Sequence, residues 1–268
     1  MFTIEPCPVG SKCPAGSTAH IVCNDETDGE GAGYYQPNSA QSECLQCPAG
    51  FYCDGEKATP CPAGHYCNKG TDNIGHASKA PVECPTGTHM PFEGARYESE
   101  CLDCQEGYEC WQAGIDGVSK QWRECGEATS GGYYCPAGAG SAIACAGGQW
   151  CPQGAAYFFE CPVGYSAATS SPDVDVTQAA DQSTACKLCS EDHYCGNRGM
   201  KSGEESNCGS GFKCNEGAMA AEPHADQSGA LCPEGQYCSV TEEGPQDCGV
   251  GTYNPDQGRS SCNYCPAG

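Results

Sequence analysis

The chain has 268 residues, 27 cysteines and a net charge of −23 at pH 7. Leu, Ile, Val and Phe together number only 24, too few for an aliphatic core, so an uncrosslinked globular domain is excluded. The acidity argues against nucleic acid and anionic lipid as partners, no apolar run approaches the ~20 residues that cross a bilayer, and the cysteine content points to an oxidising compartment, extracellular or at the cell surface.

One short phrase recurs along the chain. Its clearest copy is Cys61-Pro-Ala-Gly-His-Tyr-Cys67, and copies with the same cysteine spacing open at Cys7, Cys47, Cys104, Cys145, Cys189, Cys208 and Cys232. A further copy opens at Cys265. Pro fixes φ and biases the preceding Cys toward extended backbone, and Gly two residues on permits positive φ, so Pro-x-Gly reads as a tight turn. The aromatic before the second cysteine (Tyr52, Tyr66, Tyr134, Trp150, Tyr194, Tyr237) is placed to lie over a disulfide and bury it.

Four C-x-x-C steps punctuate the chain: Cys44 to Cys47, Cys101 to Cys104, Cys186 to Cys189 and Cys262 to Cys265. Each follows a longer loop that starts at a single cysteine, Cys23, Cys84, Cys161 or Cys248. The expected units are a partial one over 1–46, then 47–103, 104–188 and 189–264, with 265–268 the start of a truncated unit. Repetition on this scale marks an array in which each unit stacks on its neighbours. The four units hold four, six, eight and eight cysteines, which leaves Cys265 unpaired within the segment. The long loops are expected to close on themselves, as Cys23–Cys44, Cys84–Cys101, Cys161–Cys186 and Cys248–Cys262. The short phrases either close locally, as Cys61–Cys67, or interleave, as Cys47–Cys61 with Cys53–Cys67. Sequence leaves both open. The start at Met1 and the stop in mid-phrase are expected of a segment of a longer protein.

With 37 Gly and 19 Pro, regular structure should be sparse: small disulfide-rich repeats in an elongated tandem array of short β-hairpins and turns. Residues 173–186 and 216–229 have room for one helical turn each and are expected to be long surface loops.

The pattern Cys-Pro-x-Gly-x-Tyr-Cys, then Cys-Pro-x-Gly-Thr, then Gly-x-Ser-x-Cys-x-x-Cys resembles ephrin-receptor-like cysteine-rich repeats, related in style to the modules of tumour-necrosis-factor receptors. Cys47–Cys67, Cys84 through Cys104 and Cys248 through Cys265 carry the resemblance. It is also similar to tandem arrays on unicellular eukaryotes, including fibrous coats and flagellar hairs (mastigonemes). It implies disulfide-laddered rods with structural, adhesive or receptor roles, and it supplies no catalytic residues.

Zinc or redox chemistry at the C-x-x-C pairs is disfavoured, because each pair is fused to a phrase and most cysteines would stay unexplained. No nucleophile elbow, H-E-x-x-H or phosphate loop occurs, so no enzyme and no catalytic residue is expected. Calcium is the one cofactor weighed, at Asp25, Glu26 and Asp28 and at Asp173 and Asp175, although EF-hand spacing is absent. No N-x-S/T sequon occurs, and stretches such as Ala168 to Pro172 are candidates for O-linked glycans.

These features predict an extracellular structural protein that assembles with copies of itself or with neighbouring repeats into a fibre, filament or surface coat. Tyr34, Tyr35, Phe92, Tyr157, Phe158 and Phe159 are its candidate contacts. The alternative is the cysteine-rich ectodomain of a receptor or adhesin that binds a protein ligand.

Overall fold

A computed structural model describes residues 6–24, 32–72, 79–128, 131–168 and 180–266. The described residues form thirteen two-stranded antiparallel hairpins in chain order, each its own sheet. They fall into two compact units, residues 1–124 with 135–141, and residues 125–134 with 142–268.

Unit one holds hairpins 1 to 6. Their strands pair Ser11–Lys12 with Ile21–Val22, Tyr34–Tyr35 with Leu45–Gln46, Phe51–Cys53 with Ala58–Pro60, His65–Tyr66 with Val82–Glu83, Thr88–His89 with Leu102–Asp103, and Tyr108–Glu109 with Arg123–Glu124. Unit two holds hairpins 7 to 13. They pair Tyr133–Tyr134 with Ile143–Ala144, Gln149–Trp150 with Phe159–Glu160, Tyr165–Ala167 with Cys186–Leu188, His193–Tyr194 with Ser206–Asn207, Phe212–Cys214 with Gly229–Leu231, Gln236–Tyr237 with Gln246–Asp247, and Thr252–Tyr253 with Asn263–Tyr264. The C-x-x-C steps at 44–47, 101–104 and 186–189 contain the second strands of hairpins 2, 5 and 9, so that each second cysteine opens the next hairpin. Helix among the described residues is confined to single turns. Gln182–Ala185 is one α-helical turn, capped by Asp181, whose side chain accepts from Thr184 N. Glu98–Glu100 and Ala225–Gln227 are 3₁₀ turns. Both stretches expected as long loops with room for one turn do carry that turn, with Asp181 as its start in the first and the left-handed Ser228 as its stop in the second.

The core is made of sulfur. Among the described residues, the buried apolar side chains are mostly cysteines and alanines, joined by Met90, Ile115, Met200 and Pro223. The pre-cysteine aromatics extend this core. Tyr66 packs on Cys84 and Met90 of the next hairpin, Trp150 on Cys161 and Cys186, and Tyr194 on Cys208 and Cys214. A ring therefore seals the following hairpin's disulfide. Parallel bridges such as Tyr194 to Ala218 hold the ring's backbone against that neighbour.

Most successive hairpins are hydrogen-bonded to one another chiefly through backbone groups. Between hairpins 4 and 5, Gly64 N donates to Met90 O at 2.7 Å, Cys67 N to Ala95 O at 2.9 Å and Gly94 N to Cys61 O at 2.8 Å. The same three bonds recur between hairpins 3 and 4: Gly50 to Cys67, Cys53 to Thr71 and Gly70 to Cys47. They recur again between hairpins 9 and 10, where Gly164 N meets Cys195 O, Ala167 N meets Met200 O and Gly199 N meets Cys161 O. At the joint of hairpins 2 and 3 an amide side chain intervenes: Gly33 N donates to Asn24 Oδ1, and Asn24 Nδ2 donates to Cys53 O.

The glycine of the phrase has a second duty. Gly64 has φ +81, and a Cβ there would lie 2.5 Å from the carbonyl oxygen of Gly114, in the loop of hairpin 6. The contact therefore reaches two hairpins on. It recurs from Gly50 to Gly94 at 2.6 Å and from Gly164 to Gly217 at 2.7 Å. Gly64→Ala should combine left-handed strain with this clash and destabilise unit one by about 3 kcal/mol. Gly235 has φ +79 but nothing within 4 Å of an added Cβ. Gly235→Ala should cost only about 1 kcal/mol. Denaturant unfolding of both variants checks this, and equal losses would contradict the close-approach role.

Candidate assembly surface

All cysteines except Cys265 are disulfide-bonded. The four long loops close on themselves: Cys23 with Cys44, Cys84 with Cys101, Cys161 with Cys186 and Cys248 with Cys262. Short phrases close locally, as Cys47–Cys53, Cys61–Cys67 and Cys208–Cys214 do, and no interleaved pair occurs. Each of these bonds staples one hairpin and none crosses a joint. Cys265 is an exposed free thiol, and its N–H donates to Gly251 O at 2.9 Å, the bond by which each opening cysteine meets the preceding phrase.

The candidate contact residues divide. Trp150 and Phe159 are direct partners across hairpin 8, so their rings stack at 4.6 Å. Tyr157 lies 5.2 Å from Phe159, and Phe158 turns the other way to meet Tyr134 edge-on at 5.6 Å. Tyr157 is 62% exposed, while Phe158 and Phe159 are about one-third exposed. Tyr157 and Phe159 are therefore anchored on the Cys161–Cys186 core through Trp150, while Phe158 leans through Tyr134 on the core of Cys145 and Cys151. Phe92 is 67% exposed, and Tyr34 and Tyr35 are half-buried strand residues; no ring contact joins Phe92 to either tyrosine among the described residues.

A second aromatic group was not singled out by sequence. Trp111 is exposed under the Arg123 guanidinium, 5.2 Å from its ring centre, and Arg123 Nε pairs with buried Glu109. Trp122 meets His89 edge-on at 5.0 Å, and burial pushes the His89 imidazole below its usual pKa. Both tryptophans lie outside the phrase, isolated among polar residues, so no periodic signal marks them.

The calcium candidates Asp25, Glu26, Asp28, Asp173 and Asp175 lie outside the described residues. Elsewhere, Glu205 lies close to Cys189 and Cys195, but those sulfurs are bonded to each other and supply no thiolate. Glu205 works as a strut. It accepts from Ser166 Oγ at 2.7 Å and Ser190 N at 3.0 Å, with Lys187 Nζ at 3.6 Å, and its side chain is 9% exposed. Burial alone would raise its pKa, but these partners outweigh burial and hold it below the usual carboxylate value.

No protein-family model matches the chain. Over 120 residues, 43% of this chain, it is 28% identical to cysteine repeat modular protein A of Toxoplasma gondii. That stretch spans 3% of the relative's length. The hairpins, the disulfides and this similarity define a cysteine-rich repeat protein, and disulfides at this density are typical of extracellular or surface proteins. No helix among the described residues is long and apolar enough to cross a membrane.

Because the folded pKa of Glu205 is lowered, its stabilisation is present above the unfolded value near 4.5 and is lost as pH falls through the folded one. Glu205→Gln should therefore destabilise the protein by about 1–3 kcal/mol at pH 7. The difference from wild type should shrink steadily in acid. Thermal unfolding of both proteins between pH 7 and pH 3 checks this, and a pH-independent gap would contradict it.

Proposed function

We propose that this chain is a segment of an extracellular structural protein whose stacked, disulfide-closed hairpins assemble into a fibre, filament or cell-surface coat. The observation that carries the reading is the repeated joint. Because neighbouring hairpins bond through backbone groups, the outward side chains are free to vary while the stacking rule stays constant. Such a design supplies length and a patterned surface. The resemblance to ephrin-receptor-like repeats and to flagellar-hair arrays agrees with this role, and so does the match to a cysteine-repeat protein. Its partners on this reading are copies of itself or neighbouring repeats, with Tyr157, Phe158 and Phe159 as a lateral contact. O-linked glycans on Ser and Thr belong to the proposal. Catalysis and a required cofactor do not, and Asp25, Glu26, Asp28, Asp173 and Asp175 enter it only as candidates for weak calcium binding.

Electron microscopy of native, unreduced protein tests the proposal. Ordered polymers or sheets with this segment as a repeating element are expected. Tyr157→Ser combined with Phe158→Ser should raise the concentration needed for assembly about tenfold, as loss of ~1.4 kcal/mol at a contact would. Isolated molecules without lateral or axial order at micromolar concentration would overturn it in favour of a receptor or adhesin ectodomain.

A further inference from the structure

Among the phrases, Cys189-Ser-Glu-Asp-His-Tyr-Cys195 alone places a charged side chain where the turn glycine belongs. Asp192 adopts the left-handed conformation in its place, with φ +69. Its backbone behaves as the glycine's would: Asp192 N donates to Cys214 O at 3.1 Å, and Asp192 O accepts from Cys208 N at 3.0 Å. The joint of hairpins 10 and 11 is complete, with Cys195 N on Ala218 O and Gly217 N on Cys189 O. The substitution is felt two hairpins on.

At the equivalent place elsewhere, a phrase glycine lies flush against the loop two hairpins ahead. Here a carboxylate stands in the gap. The loop facing Asp192 belongs to hairpin 12, and a Cβ added to Gly244 there would lie 3.0 Å from Asp192 Oδ2. A small cavity opens at this point, lined by Asp192, His193, Asn207, Ser239, Glu242 and Glu243. The joint of hairpins 11 and 12 is correspondingly thin. Of the usual three backbone bonds, only Gly211 N to Cys238 O is found among the described residues, and the hairpin 12 loop is met from hairpin 10 by Asn207 Nδ2, which donates to Val240 O at 2.9 Å. The hairpin 12 loop instead braces itself, with Gln246 Nε2 donating to Glu243 O at 2.8 Å and Ser239 Oγ paired with Thr241 Oγ1.

The charges around the gap are mixed. On its own hairpin Asp192 faces Glu191 and His193; hairpin 11 contributes Lys213, which also reaches Glu191 at 3.6 Å; hairpin 12 contributes Glu243. Glu242 is engaged by the Tyr237 hydroxyl. Burial and the two carboxylates Glu191 and Glu243 push Asp192 above the usual aspartate pKa, against the opposing pull of Lys213 and His193.

We propose that Asp192 makes the contact between hairpins 10 and 12 proton-dependent, so that the hairpin 12 loop seats firmly when the carboxyl is neutral and is held off when it is charged. The reason is electrostatic. The ionised group is partly removed from water beside two other carboxylates, whereas an open loop leaves it solvated. With the folded pKa raised, the contact's contribution is fully present below the unfolded value of 3.8 and is lost as pH rises through the folded value. The ladder would thus carry one joint that loosens toward neutrality, while joints built on glycine stay indifferent to pH. This inference concerns a single molecule and stands whether or not the chain forms a fibre.

Amide hydrogen exchange on the whole chain tests it, with protection factors corrected for the intrinsic pH dependence. Protection of Gly211 N–H should rise severalfold between pH 7 and pH 4, while Gly64 N–H, in a glycine joint, should not change. Asp192→Asn should keep the side-chain volume and remove the pH dependence. Glu243→Gln should reduce it, because Asp192 then titrates nearer its ordinary value. The Gly64 amide also reports folding, so a variant that fails to fold is recognised and replaced by Asp192→Gly, for which flat, high protection is expected. A pH-independent Gly211 in wild type, or an unchanged pH slope in folded Asp192→Asn, overturns the proposal.

Discussion

The structure depends on a backbone contact that needs almost nothing from side chains. At the repeated joint a phrase residue, a closing residue and a loop residue meet complementary groups on the next hairpin, and glycine lets the chain come close enough for that to happen. A buried N–H or C=O left unpaired costs about 1–3 kcal/mol. A stack of short strands, each with open edges, could not tolerate many such groups. Passing edges to the following hairpin pairs these groups at joints such as those of hairpins 3, 4 and 5 and of hairpins 9, 10 and 11. The same contact explains why glycine outlasts proline in the phrase. Cys104, Cys145 and Cys208 open copies without Pro after the cysteine, yet Gly107, Gly148 and Gly211 keep positive φ.

Disulfides and joints divide the labour. Each bridge closes one hairpin and fixes a loop of 6 to 25 residues, as Cys61–Cys67 and Cys161–Cys186 illustrate. In the chain-entropy view such closures are worth about 2–4 kcal/mol each, which compensates for a core holding little beyond sulfur, alanine and Ile115. The joints are noncovalent and register-specific. The pre-cysteine aromatics couple the two systems, since Tyr66, Trp150 and Tyr194 each reach from one hairpin to the disulfide of the next.

Much of the local design is legible in the sequence. Pro-x-Gly marks the turn, cysteine spacing marks the phrase, and sparse aliphatics with abundant Gly and Pro mean short hairpins in place of a layered core. The stacking rule is less legible. Nothing in the string Cys-Pro-Ala-Gly reveals that Gly64 faces Gly114, because the partner is fifty residues away and belongs to the second hairpin ahead. The aromatics read as covers for a disulfide, yet which disulfide they cover depends on a parallel register that no local pattern encodes. The surroundings of Trp111 and Trp122 are illegible for the same reason. Their partners, Arg123 and His89, come from across hairpin 6 and from hairpin 5.

The most direct test of the stacked joint is a set of NMR scalar couplings carried through hydrogen bonds in the native, unreduced protein. Couplings from Gly64 ¹⁵N to Met90 ¹³C′, from Cys67 to Ala95 and from Gly94 to Cys61 would establish the joint between hairpins 4 and 5. All three are expected, alongside ordinary couplings within each hairpin. Couplings confined to single hairpins, with none between neighbours, would mean that the hairpins are strung loosely on the chain and would contradict the ladder.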